Sequence, residues 1–147
     1  MSRFEQFTVS VFTITHYWNK IASEAMKEYG LKGAYALYLT VLSNAEEDIT
    51  AARLAELTHR DKADVSRAIA QFQAKGIVEA YGKNRYRAPI RLTDAGRELT
   101  ALIREKATAA LDSAGEGLSE DLRRDMYRAL EIISTNLAEM SQDLQEQ

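Results

Sequence analysis

Apolar residues recur at steps of three and four at both ends of the chain, and this pattern constrains the fold most. The N-terminal stripe consists of Phe4, Phe7, Val11, Ile14, Trp18, Ile21 and Ala25. The C-terminal stripe consists of Leu122, Met126, Ala129, Ile133, Leu137, Met140 and Leu144. Such spacing gathers the apolar side chains on one face of a long helix. Because a small central core cannot cover both faces, we expect them to pack against each other and against a second subunit.

The central part of the chain is predicted to combine short helices with one hairpin. Pro89 is the only proline among 147 residues, so helix is favoured nearly throughout. The expected helices are 33–44, 51–58, 61–75 (counted from its cap) and 94–114. Thr50 and Asp61 are expected to cap helices, with Asp64 completing a capping box. Two short strands, joined by a turn at Gly82, are expected over 77–92.

Several classes of protein are excluded by residues that are missing. The chain has no cysteine and only two histidines, His16 and His59, which excludes disulfide bonds and argues against a metal site. No nucleophile elbow or phosphate-binding loop is present, so we expect no catalytic residue and no cofactor. No apolar run approaches the ~20 residues of a membrane span. With Glu5 inside its first apolar turns, the N-terminus is unlike a secretory signal, and we expect a cytoplasmic protein with no membrane partner.

Positive charge is concentrated in the middle of the chain. From Arg53 to Arg91 there are nine basic and four acidic residues, a net charge of +5, although the whole chain carries -3. A basic segment within an acidic protein indicates a surface for a polyanion such as DNA. The alternative is a solvated charged face.

Residues 50–76 have the pattern of a helix-turn-helix. Leu54, Leu57, Val65 and Ile69 are expected to lock its two helices together, which leaves the outer face of the second helix free to enter a DNA major groove. The side chains expected to contact DNA from the turn and this face are His59, Arg60, Lys62, Ala63, Ser66, Arg67, Gln71 and Lys75. An ordinary pair of packed helices would show the same apolar pattern.

Individual side chains on this face suit particular partners. Arg67 can make a bidentate contact to guanine, Gln71 can read adenine, and Ser66 suits a base or a phosphate. Asp64 is awkward beside phosphates, and we interpret it as either a cap or a cytosine reader.

The expected hairpin has a basic tip. Lys83, Arg85 and Arg87 fall within five positions, beside Asn84 and Tyr86. A basic two-stranded ribbon is suited to lie along or in the minor groove, so these three cations are predicted to contact DNA. A solvated loop is the alternative.

Four segments resemble the MarR family of bacterial winged-helix transcriptional regulators. They are 54–58 (LAELT), 65–69 (VSRAI), 75–78 (KGIV) and 91–99 (RLTDAGREL). Leu92 and Thr93, followed by Gly96, form the most specific part of the match. The resemblance implies a homodimer with intertwined terminal helices and two winged lobes on a pseudo-palindromic duplex. It also implies that Ser66 and Arg67 belong to the recognition helix.

The wing departs from the family pattern. Family members commonly carry an Asp, then one residue, then an Arg shortly before the Leu-Thr pair. Here the matching stretch is 84–87 (NRYR), without an acidic residue. Which of Arg85 and Arg87 reaches DNA is therefore open.

These observations predict a mainly α fold with a small β-hairpin wing, that is, a winged helix-turn-helix with long N- and C-terminal dimerisation helices. The expected division is a dimerisation helix over 1–32, a DNA-binding lobe over 33–92 and dimerisation helices over 93–147. The predicted function is sequence-specific binding of double-stranded DNA by a regulator, such as a repressor, without enzymatic activity. The alternatives are a low-specificity architectural DNA-binding protein and a helical protein-interaction module.

Aromatic residues are concentrated in the first two predicted helices. Packing in the core or the dimer interface explains them most simply. The family resemblance implies a second role, because many members bind small aromatic anions in a crevice between the dimer helices and the winged lobe and then release DNA. The residues expected to form such an effector pocket are His16, Tyr17, Trp18, Tyr35 and Tyr38.

Overall fold

The computed structural model describes residues 1–79 and 87–147. Within these ranges the helices are α1 (Arg3–Lys27), α2 (Tyr35–Asn44), α3 (Ala51–Thr58), α4 (Lys62–Ala74), α5 (Asp94–Ala114) and α6 (Glu120–Gln145). The bounds of α3 and α5 are those predicted, whereas α2 begins two residues later than expected. The mainly helical class is confirmed.

The chain divides into two compact units, residues 1–108 and residues 109–147. The first unit contains the hydrophobic core and the helix-turn-helix. The second contains the end of α5, a turn and α6, which Ser119 caps by accepting the Leu122 N–H at 3.1 Å. In this second unit the Arg123 guanidinium donates to the Gly115 carbonyl at 3.2 Å, which ties α6 to the turn.

The core of the first unit is built from α2, α3 and α4, with contributions from the end of α1, from α5 and from the segments that follow α1 and α4. Its largest fully buried side chains are Tyr35, Tyr38, Phe72, Met26, Leu39, Leu54 and Val65. Leu57, expected to lock α3 to α4, is 40% exposed. The buried residue of that turn is Thr58, one helical turn after Leu54, and its hydroxyl donates to the Leu54 carbonyl at 2.7 Å.

The caps of the central helices mostly follow the sequence. Thr50 accepts the Arg53 N–H at 3.2 Å and so starts α3. Asp61 accepts the Asp64 N–H at 2.6 Å and so starts α4. The predicted capping box is only half present, because the Asp64 carboxylate accepts a hydrogen bond from Tyr38 instead.

The described residues include the base of the predicted hairpin. Val78 pairs with Leu92 in an antiparallel bridge, and the Glu79 N–H donates to the Arg91 carbonyl at 2.8 Å. A second antiparallel bridge joins Ile49 to Ile90. The described residues contain no strand longer than these bridges, and the predicted wing tip, with Lys83 and Arg85, lies outside them.

Candidate nucleic-acid interface

The turn between α3 and α4 is short and fixes the direction of the second helix. His59 ends α3 in the left-handed conformation, with φ of 54°. The Arg60 N–H reaches back to the Ala55 carbonyl at 3.1 Å. Asp61 then caps α4, so only three residues separate the helices. His59 and Arg60 are exposed at this turn.

Helix α4 has one buried and one exposed face. Val65, Ala68, Ile69 and Phe72 are buried against the rest of the lobe. The outer face carries the exposed residues Lys62, Ala63, Ser66, Arg67 and Ala70. Gln71, predicted as a base-reading residue, is half-buried at the edge of this face. The structure therefore places four of the predicted contact residues on one accessible helix face, with Gln71 at its edge.

Arg67 lies at the centre of the outer face, and its guanidinium is close to Asp64 of the same helix. Its side chain is 60% exposed, and its Nη2 lies 3.6 Å from Asp64 Oδ1. The other oxygen of Asp64 accepts a hydrogen bond from the Tyr38 hydroxyl. Asp64 therefore links the buried α2 to the exposed arginine of α4.

Two further predicted DNA contacts lie outside α4. Lys75 follows α4, and its ammonium lies beside the turn after α1, where a Cβ built on Gly30 would be 2.9 Å from it. Arg87 is exposed where the described chain resumes.

The five aromatic and histidine residues predicted to form an effector pocket are divided between two environments. Tyr35 and Tyr38 are each 1% exposed in the core. The Tyr35 ring packs edge-on against Phe72, with ring centroids 5.7 Å apart. His16, Tyr17 and Trp18 instead lie exposed on α1, where the first two rings are 4.9 Å apart.

A cavity of about 580 Å³ lies elsewhere in the first unit, at the C-terminal end of α2 and the N-terminal half of α5. Its lining includes Arg91, Arg97 and Arg104, together with the acidic side chains of Glu47 and Asp48, and none of the five predicted pocket residues. Arg104 bridges to the end of α2, since it donates to Ser43 Oγ at 2.7 Å and Asn44 Oδ1 at 2.6 Å.

Sequence reasoning missed the bond between Tyr38 and Asp64. The sequence predicts a pocket role for Tyr38 and a cap or a base contact for Asp64. The sequence does contain one signal that Asp64 has an unusual role. Helical spacing places this acidic side chain beside Arg67, on a face expected to meet phosphates. It cannot identify a partner 26 residues away.

In the described part of the chain, no helix is long and apolar enough to cross a membrane. The same residues contain no group of three or more His, Cys, Asp or Glu side chains that could hold a metal ion.

Comparisons with known proteins agree on one family. The sequence model of the MarR family matches residues 29–82. A MarR transcriptional regulator from Methanosarcina mazei Go1 superposes with a TM-score of 0.85 and 20% identity, covering 95% of this chain and 94% of that one. A MarR/EmrR family regulator from Acinetobacter sp. ADP1 gives 0.77 and 20%, with 95% and 99% covered. No curated protein matches this chain in sequence.

A further similar structure was solved with nucleic acid. It is a MarR family regulator from Listeria monocytogenes complexed with 26mer DNA, with a TM-score of 0.76 and 21% identity, covering 90% of this chain and 89% of that one.

The order of the helices is that of the solved regulators with which the chain superposes. Residues 29–82 match the sequence model of the MarR family, and the chain has the fold of solved MarR-family structures, which agrees with the resemblance of the sequence motifs.

Proposed function

We propose that the chain is a sequence-specific transcriptional regulator that binds a pseudo-palindromic DNA duplex as a homodimer. The proposal rests on helix α4, because its inner face is buried and its outer face exposes Lys62, Ser66 and Arg67 to solvent. Its 13 residues span ~20 Å at 1.5 Å per residue. A helix of this size fits the ~12 Å wide major groove of B-DNA. The DNA-bound relative from Listeria monocytogenes supports the same class of partner.

Each exposed side chain has a distinct role in this proposal. Arg67 contacts a guanine, for which its planar fork of donors is suited. Lys62 and Arg60, beside the N-terminus of α4, neutralise phosphates, which fixes the position of the helix without reading sequence. Arg87, with Lys83 and Arg85, adds phosphate contacts from the wing.

The apolar faces of α1 and α6 support the homodimer. Met26 is the only buried residue of α1, and none of the 26 residues of α6 is buried in the single chain. Contiguous exposed apolar surface of this kind marks an interaction site. We assign residues 1–32 and 93–147 to dimerisation and residues 33–92 to DNA binding. Such a regulator acts in the cytoplasm, where it meets DNA.

Selection of bound duplexes from a random pool tests the function directly. A specific dimeric regulator enriches a sequence with two inverted half-sites about one helical turn apart. Its affinity for that site exceeds its affinity for random duplex by ~10³-fold or more. Binding at low salt without an enriched sequence would instead support the architectural alternative, and no binding to any duplex would support a protein-interaction module.

Replacing Arg67 with alanine is expected to weaken binding to the selected duplex by ~1–3 kcal/mol and to relax the preference at one base position in each half-site. Loss of the bidentate contact is the reason. Titration of each single-base variant of the selected duplex measures the effect. Lys62→Ala is the matched control, since loss of a phosphate contact weakens binding to specific and random duplexes equally. An equal loss on both duplexes for Arg67→Ala would assign Arg67 to phosphate.

We extend the proposal to release of DNA by a small aromatic anion. The exposed Tyr17 and Trp18 of α1, with His16 beside them, are the accessible part of the predicted pocket. Stacking on such rings contributes ~0.5–1.5 kcal/mol per ring pair. A hundredfold release of DNA requires that the ligand prefer the form that does not bind DNA by ~2.7 kcal/mol.

Salicylate titration is expected to quench Trp18, the only tryptophan, while DNA occupancy falls over the same concentration range. Two variants locate the ligand. Loss of release in Trp18→Phe but not in Arg104→Ala supports the site on α1, whereas the reverse result moves the ligand to the 580 Å³ cavity. No binding below millimolar concentration would show that the aromatic residues serve only in packing.

A further inference from the structure

Asp64 occupies an unfavourable position for a DNA-binding helix. It lies in the first turn of α4, next to the exposed face, with its side chain 27% exposed. A carboxylate there repels phosphates, so its presence lowers affinity for any duplex. A helix N-terminus favours a negative charge, but Asp61 already supplies the cap. The charge of Asp64 therefore calls for a second explanation.

Both oxygens of Asp64 have partners on different elements. Oδ2 accepts the hydrogen bond from the Tyr38 hydroxyl of α2. Oδ1 lies 3.6 Å from Arg67 Nη2. The Asp64 N–H is held by Asp61 Oδ1 at 2.6 Å. The carboxylate is thus fixed from the core and from its own backbone, and of these partners Arg67 is the cation, with its side chain 60% exposed.

Tyr38 is a rigid anchor for this arrangement. The side chain is 1% exposed, and its ring lies 5.9 Å from the ring of Tyr35. Burial, together with the bond to Asp64, raises the pKa of the Tyr38 hydroxyl above its ordinary value. The phenol therefore stays protonated and remains a donor over the whole physiological pH range.

We propose that Tyr38 and Asp64 form a positioning pair that orients Arg67 for a base edge rather than for the nearest phosphate. The inference rests on the proposed function, and neither member of the pair contacts DNA. An arginine has five N–H donors in a planar fork, and the ion pair with Asp64 joins its oxygen to the terminal nitrogen Nη2 at 3.6 Å. The rest of the fork stays free for a base. Fixing a long side chain before binding also reduces the entropy lost on complex formation.

Tyr38→Phe and Tyr35→Phe provide a matched pair of variants. Both remove one buried hydroxyl from α2, but the Tyr35 hydroxyl has no hydrogen-bond partner in the described part of the chain. Tyr38→Phe is expected to lower the ratio of specific to random affinity about fivefold, within the range measured for coupled neighbours. Tyr35→Phe is expected to leave the ratio unchanged. Thermal melts of both variants control for folding.

Two further variants connect the effect to Arg67. Asp64→Asn keeps an oxygen acceptor for Tyr38 but removes the charge facing Arg67, so it is expected to raise affinity for random duplex and to lower the ratio. In an Arg67→Ala background, Tyr38→Phe is expected to have no further effect on the ratio.

Clear results would overturn the inference. Equal ratios for Tyr38→Phe and Tyr35→Phe would do so, as would an undiminished effect of Tyr38→Phe in the Arg67→Ala background. If the unmodified protein selects a duplex and Tyr38→Phe keeps its full ratio, only the positioning pair fails. If the unmodified protein selects no duplex, the proposed function fails and the positioning pair fails with it.

Discussion

Replacing Gly96 with alanine is expected to destabilise the protein by about 3 kcal/mol, the upper part of the range for inserting a group into a packed site. A Cβ at Gly96 would stand 2.1 Å from the Ile77 carbonyl oxygen and 3.2 Å from Leu92 Cδ2. The contact is with backbone, so no rotamer change relieves it. A hydrogen bond also holds the Ile77 carbonyl in position, because it accepts the Thr93 N–H at 3.0 Å. The start of α5 must therefore move away from the segment that follows α4.

Thermal unfolding measures this effect. In a chain of this length, a loss of 3 kcal/mol lowers Tm by about 6–12 °C. Gly115→Ala is the control, because its Cβ would meet the Arg123 guanidinium at 2.9 Å, the movable end of a flexible side chain. That variant is expected to change stability by less than about 1 kcal/mol. Equal Tm values for Gly96→Ala and the unmodified protein would contradict the close packing of α5 on Ile77. All variants are compared at one protein concentration, since dimerisation makes Tm depend on it.

Local signals in the sequence predicted the helix bounds well. Thr50 and Asp61 each accept a backbone N–H three residues ahead, so a polar residue before an apolar stripe was sufficient to find these starts. Thr93 acts in the same way, because its hydroxyl accepts the Gly96 N–H at 3.0 Å. The predicted start of α2 at Gly33 was wrong. A Cβ there would lie 2.7 Å from the Ser23 backbone nitrogen, so this glycine serves a close approach of α1 that no local signal reveals.

The candidate site was predictable only in part, because periodicity assigns a face but not a partner. The exposed side of α4 follows from the spacing of Val65, Ile69 and Phe72 on the buried side. The roles of Tyr38 and Asp64 depend on a contact between α2 and α4, which the spacing within either helix does not contain. An aromatic cluster likewise has the same pattern in a core as in a crevice.

Replacing Leu137 with glutamate is expected to dissociate the proposed homodimer. Leu137 lies on the apolar stripe of α6 and is 49% exposed in the single chain. Burying a leucine contributes ~1.5–3 kcal/mol. Each copy supplies one such side chain to a twofold interface, so the dimer loses about 3 kcal/mol or more, which raises the dissociation constant by about two powers of ten. A buried, unpaired charge adds to the loss.

Sedimentation equilibrium measures the dissociation constant, and binding to the selected duplex measures the consequence. Thr135→Glu is the matched control. It adds the same charge to the same helix, but position 135 is about 200° around the helix from position 137. We expect Thr135→Glu to remain dimeric with full affinity for the selected duplex. Leu137→Glu is expected to keep its helical content, sediment as a monomer at micromolar concentration and bind only single half-sites, since a palindrome requires two linked lobes.

If Leu137→Glu sediments as the same dimer as the control, the apolar face of α6 is not the interface. A monomeric unmodified protein that still binds the full palindrome would overturn the homodimer itself.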